Sequence, residues 1–234
     1  MVRLVLIVLL TIMTLFPVSS FAGQAAGDVN VTKRNLGDIN SDGKDEFAIE
    51  KKAWGASSCS EDVEIQSGGK IILTLPSFSG DTADGYKVVG NQIVVWFGNW
   101  NHGSKWDPHV YDFRWYQWNK KIGKFVIEKE GFTKKAYSYK QATKIIPTLV
   151  KKSNKSIIWS KKATFIEDAV VLAVKKFGKG LQVRSIREEN SVWISDLYPN
   201  CIHYFYVSLG SEKRSVLVGV MLLSDGSYTL DATT

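Results

Sequence analysis

Apolar and polar residues alternate with period two along much of the chain, in short runs closed by glycine, asparagine or aspartate. That pattern predicts strands and hairpins. Phe47–Lys51 is a first short strand. Val63–Gln66 and Lys70–Leu75 flank Ser67-Gly68-Gly69, and Tyr86–Val89 and Gln92–Phe97 flank the two-residue turn Gly90-Asn91. Such turns favour glycine because they need positive φ. His109–Trp118 is a long aromatic strand that turns through Asn119–Lys124 and returns as Phe125–Lys129, with a further strand expected within Phe132–Tyr139.

The period changes only once convincingly. Phe165, Ala169, Leu172, Ala173 and Lys176 recur at three-to-four spacing, preceded by the capping pair Thr164 and Glu167 and closed by Gly178. Reciprocal capping bonds and a terminal glycine mark a helix. Beyond it, Leu181–Arg187 is expected to meet Val192–Leu197, and Ile202–Leu209 to meet Ser215–Leu223, before a turn at Asp225-Gly226 and a last strand, Tyr228–Leu230.

The order of these elements divides the chain. Residues 27–140 read as a β-rich domain, an antiparallel sheet or sandwich. Residues 141–162, lysine-rich and holding Pro147 and a weak helix from Gln141, read as a linker. Residues 163–234 read as a small α+β domain, one helix on an antiparallel sheet. Residues 23–35 follow neither period and read as a polar tail.

Residues 1–22 follow a different logic. Arg3 precedes a nearly unbroken apolar run from Leu4 to Phe16, then come Pro17 and the small residues of Ser20-Phe21-Ala22. This is the layout of a secretory signal peptide, and the run is short for a membrane span. An exported chain, periplasmic or secreted, with no transmembrane segment after processing is the expectation. Export permits a disulfide between the two cysteines, Cys59 and Cys201; two buried thiols are the alternative.

Composition adds limits. The net charge is +7, and thirteen lysines against two acids fall between Lys120 and Lys162. Arginine, which recognises phosphate with two parallel bonds, is missing from that stretch. A solvated basic face is therefore expected and a nucleic-acid partner is not. No G-x-S-x-G nucleophile elbow occurs, and neither cysteine sits in a nucleophile-like context. His102 and His109, seven apart with Asp107 between, would need a further protein ligand in the right geometry to hold zinc. A glycosidase needs two carboxylates that meet in space, and no pair is nominated.

Two features carry chemistry. The first is Asp38-Ile39-Asn40-Ser41-Asp42-Gly43-Lys44-Asp45-Glu46, entering the strand Phe47-Ala48-Ile49. Oxygen-bearing side chains stand at Asp38, Asn40, Asp42 and Glu46, and the Lys44 carbonyl offers another oxygen. A hard cation such as Ca²⁺ takes six to eight oxygens, and a loop of this spacing supplies several. The loop is not an EF-hand, since Ile49 occupies the place of that motif's final glutamate. Asx turns without a metal are the competing explanation. The second feature is aromatic: Trp96, Trp100, Trp106, Trp115 and Trp118 lie close in sequence. Most are expected in the core, where large rings bury most area. Trp100, Trp106 and Trp118, in or beside loops, are the candidates for an exposed ligand-binding patch, for which a glycan is the partner to expect.

The pattern D-x-[DN]-x-D-G-x-x-[DE] before an apolar strand, preceded by Leu36-Gly37, resembles the FG-GAP or VCBS-type repeat of integrin-like β-propeller blades. Phe113–Glu128 is loosely similar to the outer hairpin of such a blade. The resemblance implies one calcium ion held by Asp38, Asn40, Asp42, Lys44 through its carbonyl, and Glu46, in a non-catalytic binding or structural module whose partner is a protein or glycan. One copy cannot close a propeller, so an isolated sheet or sandwich is implied. The C-terminal part has a topological likeness to PepSY or cystatin-like domains, which implies no function.

Overall fold

A computed structural model describes residues 29–55, 59–80, 83–99, 107–151, 154–189, 201–210 and 214–234. The segment read as a signal peptide, Trp100, His102, Trp106 and the strand expected at 192–197 lie outside the described residues. No described helix is long and apolar enough to cross a membrane.

The chain is β-rich, and its sheets are antiparallel. The first sheet is the meander β1 (Val29–Gly37), β2 (Glu46–Trp54), β3 (Cys59–Ser67) and β4 (Lys70–Thr74), with the short β5 (Phe78–Ser79) also paired to β3. The second runs in the order β10 (Ile157–Trp159), β9 (Lys124–Thr133), β8 (Tyr111–Asn119), β7 (Gln92–Gly98) and β6 (Gly85–Val89). The third is the meander β11 (Val183–Glu189), β12 (Cys201–Leu209), β13 (Arg214–Leu222) and β14 (Tyr228–Thr233).

Burial explains the layers. Ala48, Val63 and Ile65 of the first sheet pack against Ile93, Val95, Tyr116 and Phe125 of the second. The opposite face of the second sheet presents Val94, Trp96, Tyr111, Phe113 and Trp115. That face is covered by Ala142 of helix α1 (Tyr139–Ile145), by Ile146 of the 3₁₀ turn that follows, by Leu149 and Val150 just beyond that turn, and by Ile157. The second sheet is thus apolar on both faces. The lysine-rich stretch read as a linker is part of this layer: its described lysines are exposed while its few apolar residues cover a core, and β10 pairs with β9. Gly131 of β9 permits that close approach, since a Cβ there would stand 2.6 Å from the Ile158 carbonyl oxygen.

Helix α2 (Phe165–Phe177) lies on the third sheet. Its capping box forms as the residue types require: the Glu167 N–H donates to Thr164 Oγ1 at 3.2 Å, and the Thr164 N–H donates to Glu167 Oε2 at 3.0 Å. Phe165, Ala169 and Ala173 face Phe205, Val207, Val218 and Val220. Phe132 and Ile158 of the second sheet join the same core, so the apolar interior is continuous across the expected domain boundary.

The N-terminal and cysteine readings are also settled. Val29–Gly37 is a strand, not a tail; its residues up to Asn35 are exposed on both faces, so no apolar alternation announces it. Residues 183–189 pair with β12; the partner expected for them, 192–197, lies outside the described residues. No disulfide joins the cysteines. Cys59 opens β3 in the first sheet, whereas Cys201 is buried at the start of β12 in the third, against Gly219, where a Cβ would meet its Sγ at 2.6 Å. Burial, the largest influence on it, pushes the Cys201 thiol up to about 11.

Candidate metal centre

The acidic loop joins β1 to β2, whose register closes at Gly37 opposite Glu46. Its conformation has a hydrophobic anchor and a set of internal bonds. Ile39 is buried in the core between the first and second sheets. Glu46, the first residue of β2, is fully buried, and its Oε2 accepts the N–H groups of Ile39 at 2.8 Å and Asn40 at 3.1 Å. Asp38 Oδ1 accepts from the Asp42 N–H at 3.0 Å, and its Oδ2 from the Gly43 N–H at 3.0 Å. Asn40 Oδ1 also accepts from the Asp42 N–H, at 2.8 Å, and Asp42 Oδ1 from the Lys44 N–H at 2.9 Å. The reversal uses left-handed backbone at Ser41 (φ 60°) and Gly43 (φ 87°). Glycine adopts that region without cost and serine does not.

These turns bring oxygens together. Asp38, Asp42 and Glu46 each offer a carboxylate oxygen, and the three lie within 4.8 Å of one another. Asn40 is buried beside them, with its side-chain amide donating to Asp42 Oδ2 at 3.2 Å. Lys44 is exposed, its N–H already bonded to Asp42. The decisive atom is Glu46 Oε1, which is buried and has no hydrogen-bond partner among the described residues. A buried carboxylate oxygen left unsatisfied carries a desolvation cost of about 1–3 kcal/mol or more. The Asx-turn bonds account for the exposed rim of the loop, but they offer nothing to this atom. A divalent cation does fit it: the donor set is all oxygen, the carboxylates converge, and the buried one still has a free lone pair.

The chain was compared with family models, curated proteins and solved structures. None matches.

A second charged cluster was not foreseen from sequence. His203 of β12 is buried, and its Nε2 lies 3.0 Å from Asp112 Oδ1 while its Nδ1 lies 3.0 Å from Glu188 Oε1. Glu188 also meets Arg114 Nη2 at 3.3 Å, and Arg114 Nε donates to Glu130 Oε1 at 2.6 Å. Glu130 Oε2 accepts the Phe165 N–H at 3.0 Å, tying the start of α2 to β9. The imidazole stacks with Phe165 at 5.4 Å and with Phe205 at 5.9 Å between ring centroids. Burial works against its charge, yet the two flanking carboxylates outweigh it and raise the imidazolium to about 10. Glu188 responds in the opposite sense: burial opposes ionisation, but the His203 hydrogen bond and charge, followed by Arg114, bring it down to about 2. The carboxylates of Asp112 and Glu188 are thus committed to an internal cation, the role of a clamp between the second and third sheets.

The remaining expectations resolve as follows. On β8 both faces are covered: Tyr111, Phe113 and Trp115 fill one core, while on the other face Asp112 and Tyr116 are buried and Arg114 partly so. Trp118 is half-buried and packs edge-on against Phe125, with centroids 5.3 Å apart, so its ring contributes to the core between the first two sheets. It also borders an open depression with Gln117, Lys120 and Val126. The basic stretch does not form one patch. Lys120, Lys121 and Lys124 sit at the β8–β9 turn, Lys134 and Lys135 at the far end of β9, and Lys140 and Lys144 on α1.

Proposed function

We propose that this chain is an exported, non-catalytic module that binds one calcium ion in the Asp38–Glu46 loop, related in kind to FG-GAP or VCBS-type repeats. The observation that carries the reading is the buried, unpartnered Glu46 Oε1 beside the carboxylates of Asp38 and Asp42. Asn40 and the Lys44 carbonyl complete the proposed ligand set. The four-strand meander that the loop opens is the size of one propeller blade, but it packs face to face on a second sheet. Calcium here acts on the fold: it neutralises three converging carboxylates and locks the β1–β2 turn.

The test is calcium titration followed by thermal melting of wild type and Asp42→Ala. A ligand held only by the native state raises stability by about 2.7 kcal/mol at 100 times its dissociation constant. Wild type is expected to show a concentration-dependent rise in Tm, and the variant to lose most of it. An unchanged wild-type melt in millimolar calcium would refute the reading.

A further inference from the structure

We infer that β1 is a calcium-conditional edge strand, docked when the loop ion is bound and loosened when it is not. The inference rests on the calcium reading and adds which part of the molecule the ion controls. β1 is at the edge of its sheet and, among the described residues, pairs only with β2. From Val29 to Asn35 every residue is exposed, including Val29 at 58% and Val31 at 57%. Burial of apolar area therefore contributes almost nothing to its attachment, and only Leu36, next to the loop, packs on the core.

What holds β1 laterally is its backbone ladder and a few polar contacts. Thr32 Oγ1 donates to Glu50 Oε2 at 2.9 Å, Arg34 Nη2 meets Glu50 Oε1 at 3.3 Å, and Asn35 Nδ2 donates to Asp45 Oδ2 at 2.7 Å. Lys33 and Arg34 lie over the Phe47 and Tyr86 rings. Exposed pairs of this kind contribute little and are screened by salt. Elements with few buried contacts occupy the low end of local stability.

The ion site sits at the hinge of this strand. Asp38 immediately follows β1, whereas Glu46 begins β2 and is anchored in the interior. A cation shared by the two ties the loosely held strand to the firmly held one. Without it, three carboxylates within 4.8 Å repel one another at the point where β1 must turn back. The rest of the sheet has its own support in Ala48, Val63 and Ile65, each fully buried. Loss of the ion should therefore free β1 and leave the rest of the sheet in place.

The experiment is hydrogen exchange by mass spectrometry on the full chain, in saturating calcium and in chelator, with calorimetry of calcium binding alongside. Peptides covering 29–37 are expected to exchange more slowly in calcium, by roughly a hundredfold at 100 times the dissociation constant. Peptides covering 60–66 and 201–209 should change little. Asp38→Asn, which keeps an acceptor oxygen for the turn but removes the charge, should weaken binding and the β1 response together. Calorimetric binding with unchanged exchange at 29–37, or with equal slowing in all three segments, would overturn the inference and leave the calcium reading intact. Absence of any binding heat, with no change in exchange, would overturn both.

Discussion

The acidic loop and the His203 clamp each gather three carboxylates, and they resolve the repulsion in opposite ways. In the clamp, Asp112, Glu130 and Glu188 are met by two cations of the same chain, His203 and Arg114. In the loop, Asp38, Asp42 and Glu46 converge with no ion pair to them among the described residues, and one buried oxygen accepts no hydrogen bond from those residues. A chain that supplies its own counter-charge makes a permanent joint. One that withholds it makes a joint that an external ion can complete.

The largest effect should come from breaking the internal joint. His203→Ala leaves Asp112 buried without its cation and Glu188, partly exposed, with Arg114 alone, and removing one partner of a buried pair costs about 3–5 kcal/mol. Denaturant unfolding should show that loss, and added calcium should not restore it. If His203→Ala unfolds at the wild-type midpoint, the clamp is not what joins the second and third sheets.

The pH dependence sharpens the same contrast. The His203 pKa is raised from 6.5 to about 10, so its stabilisation is complete below pH 6.5 and fades as pH rises through 10. The Glu188 pKa is lowered from 4.5 to about 2, so its stabilisation holds above pH 4.5 and fades as pH falls toward 2. Chemical denaturation across pH should give a plateau between pH 4.5 and 6.5, with a decline on the alkaline side that His203→Ala removes.

Glu46→Gln addresses the loop with a smaller change. The amide can still accept from Ile39 and Asn40, and it removes a buried charge that lacks compensation. In chelator the variant is expected to be as stable as wild type or more stable by about 1 kcal/mol. In calcium it should fall behind, because wild type gains and the variant does not. A variant that melts below wild type in chelator would show Glu46 to be satisfied without a metal.

The smallest effect belongs to an exposed control. Lys176 Nζ meets Asp231 Oδ1 at 3.2 Å with both side chains about half exposed. Lys176→Ala should cost under about 1 kcal/mol. The difference from His203→Ala then measures what burial adds to an ion pair.

Local chemistry was legible in the sequence, and long-range chemistry was not. Ser67-Gly68-Gly69, Gly90-Asn91 and the Thr164/Glu167 capping box each act within a few residues, so their elements stand where the residue types place them. The acidic loop was legible for the same reason, including its convergence on Glu46. β1 was not, because an edge strand exposed on both faces needs no apolar alternation. β10 was missed because three residues among lysines gain their strand character only from β9. The clamp left no trace in spacing at all: Asp112 and His203 are 91 positions apart and meet only when two sheets dock. A polar residue inside an apolar run was the one available sign, as at His203 among Ile202, Tyr204 and Phe205 or Asp112 between Tyr111 and Phe113.

Strand β8 has two unlike neighbours on its two sides. Odd-numbered Tyr111, Phe113 and Trp115 enter an aromatic interior, and even-numbered Asp112 and Arg114 enter the ionic clamp. Side chains in a strand alternate strictly, so sliding β8 by one position would drive a carboxylate and a guanidinium into hydrocarbon and set three rings against charge. Misalignment is thereby penalised twice, and β8 acts as the ruler against which the layers on both sides are indexed.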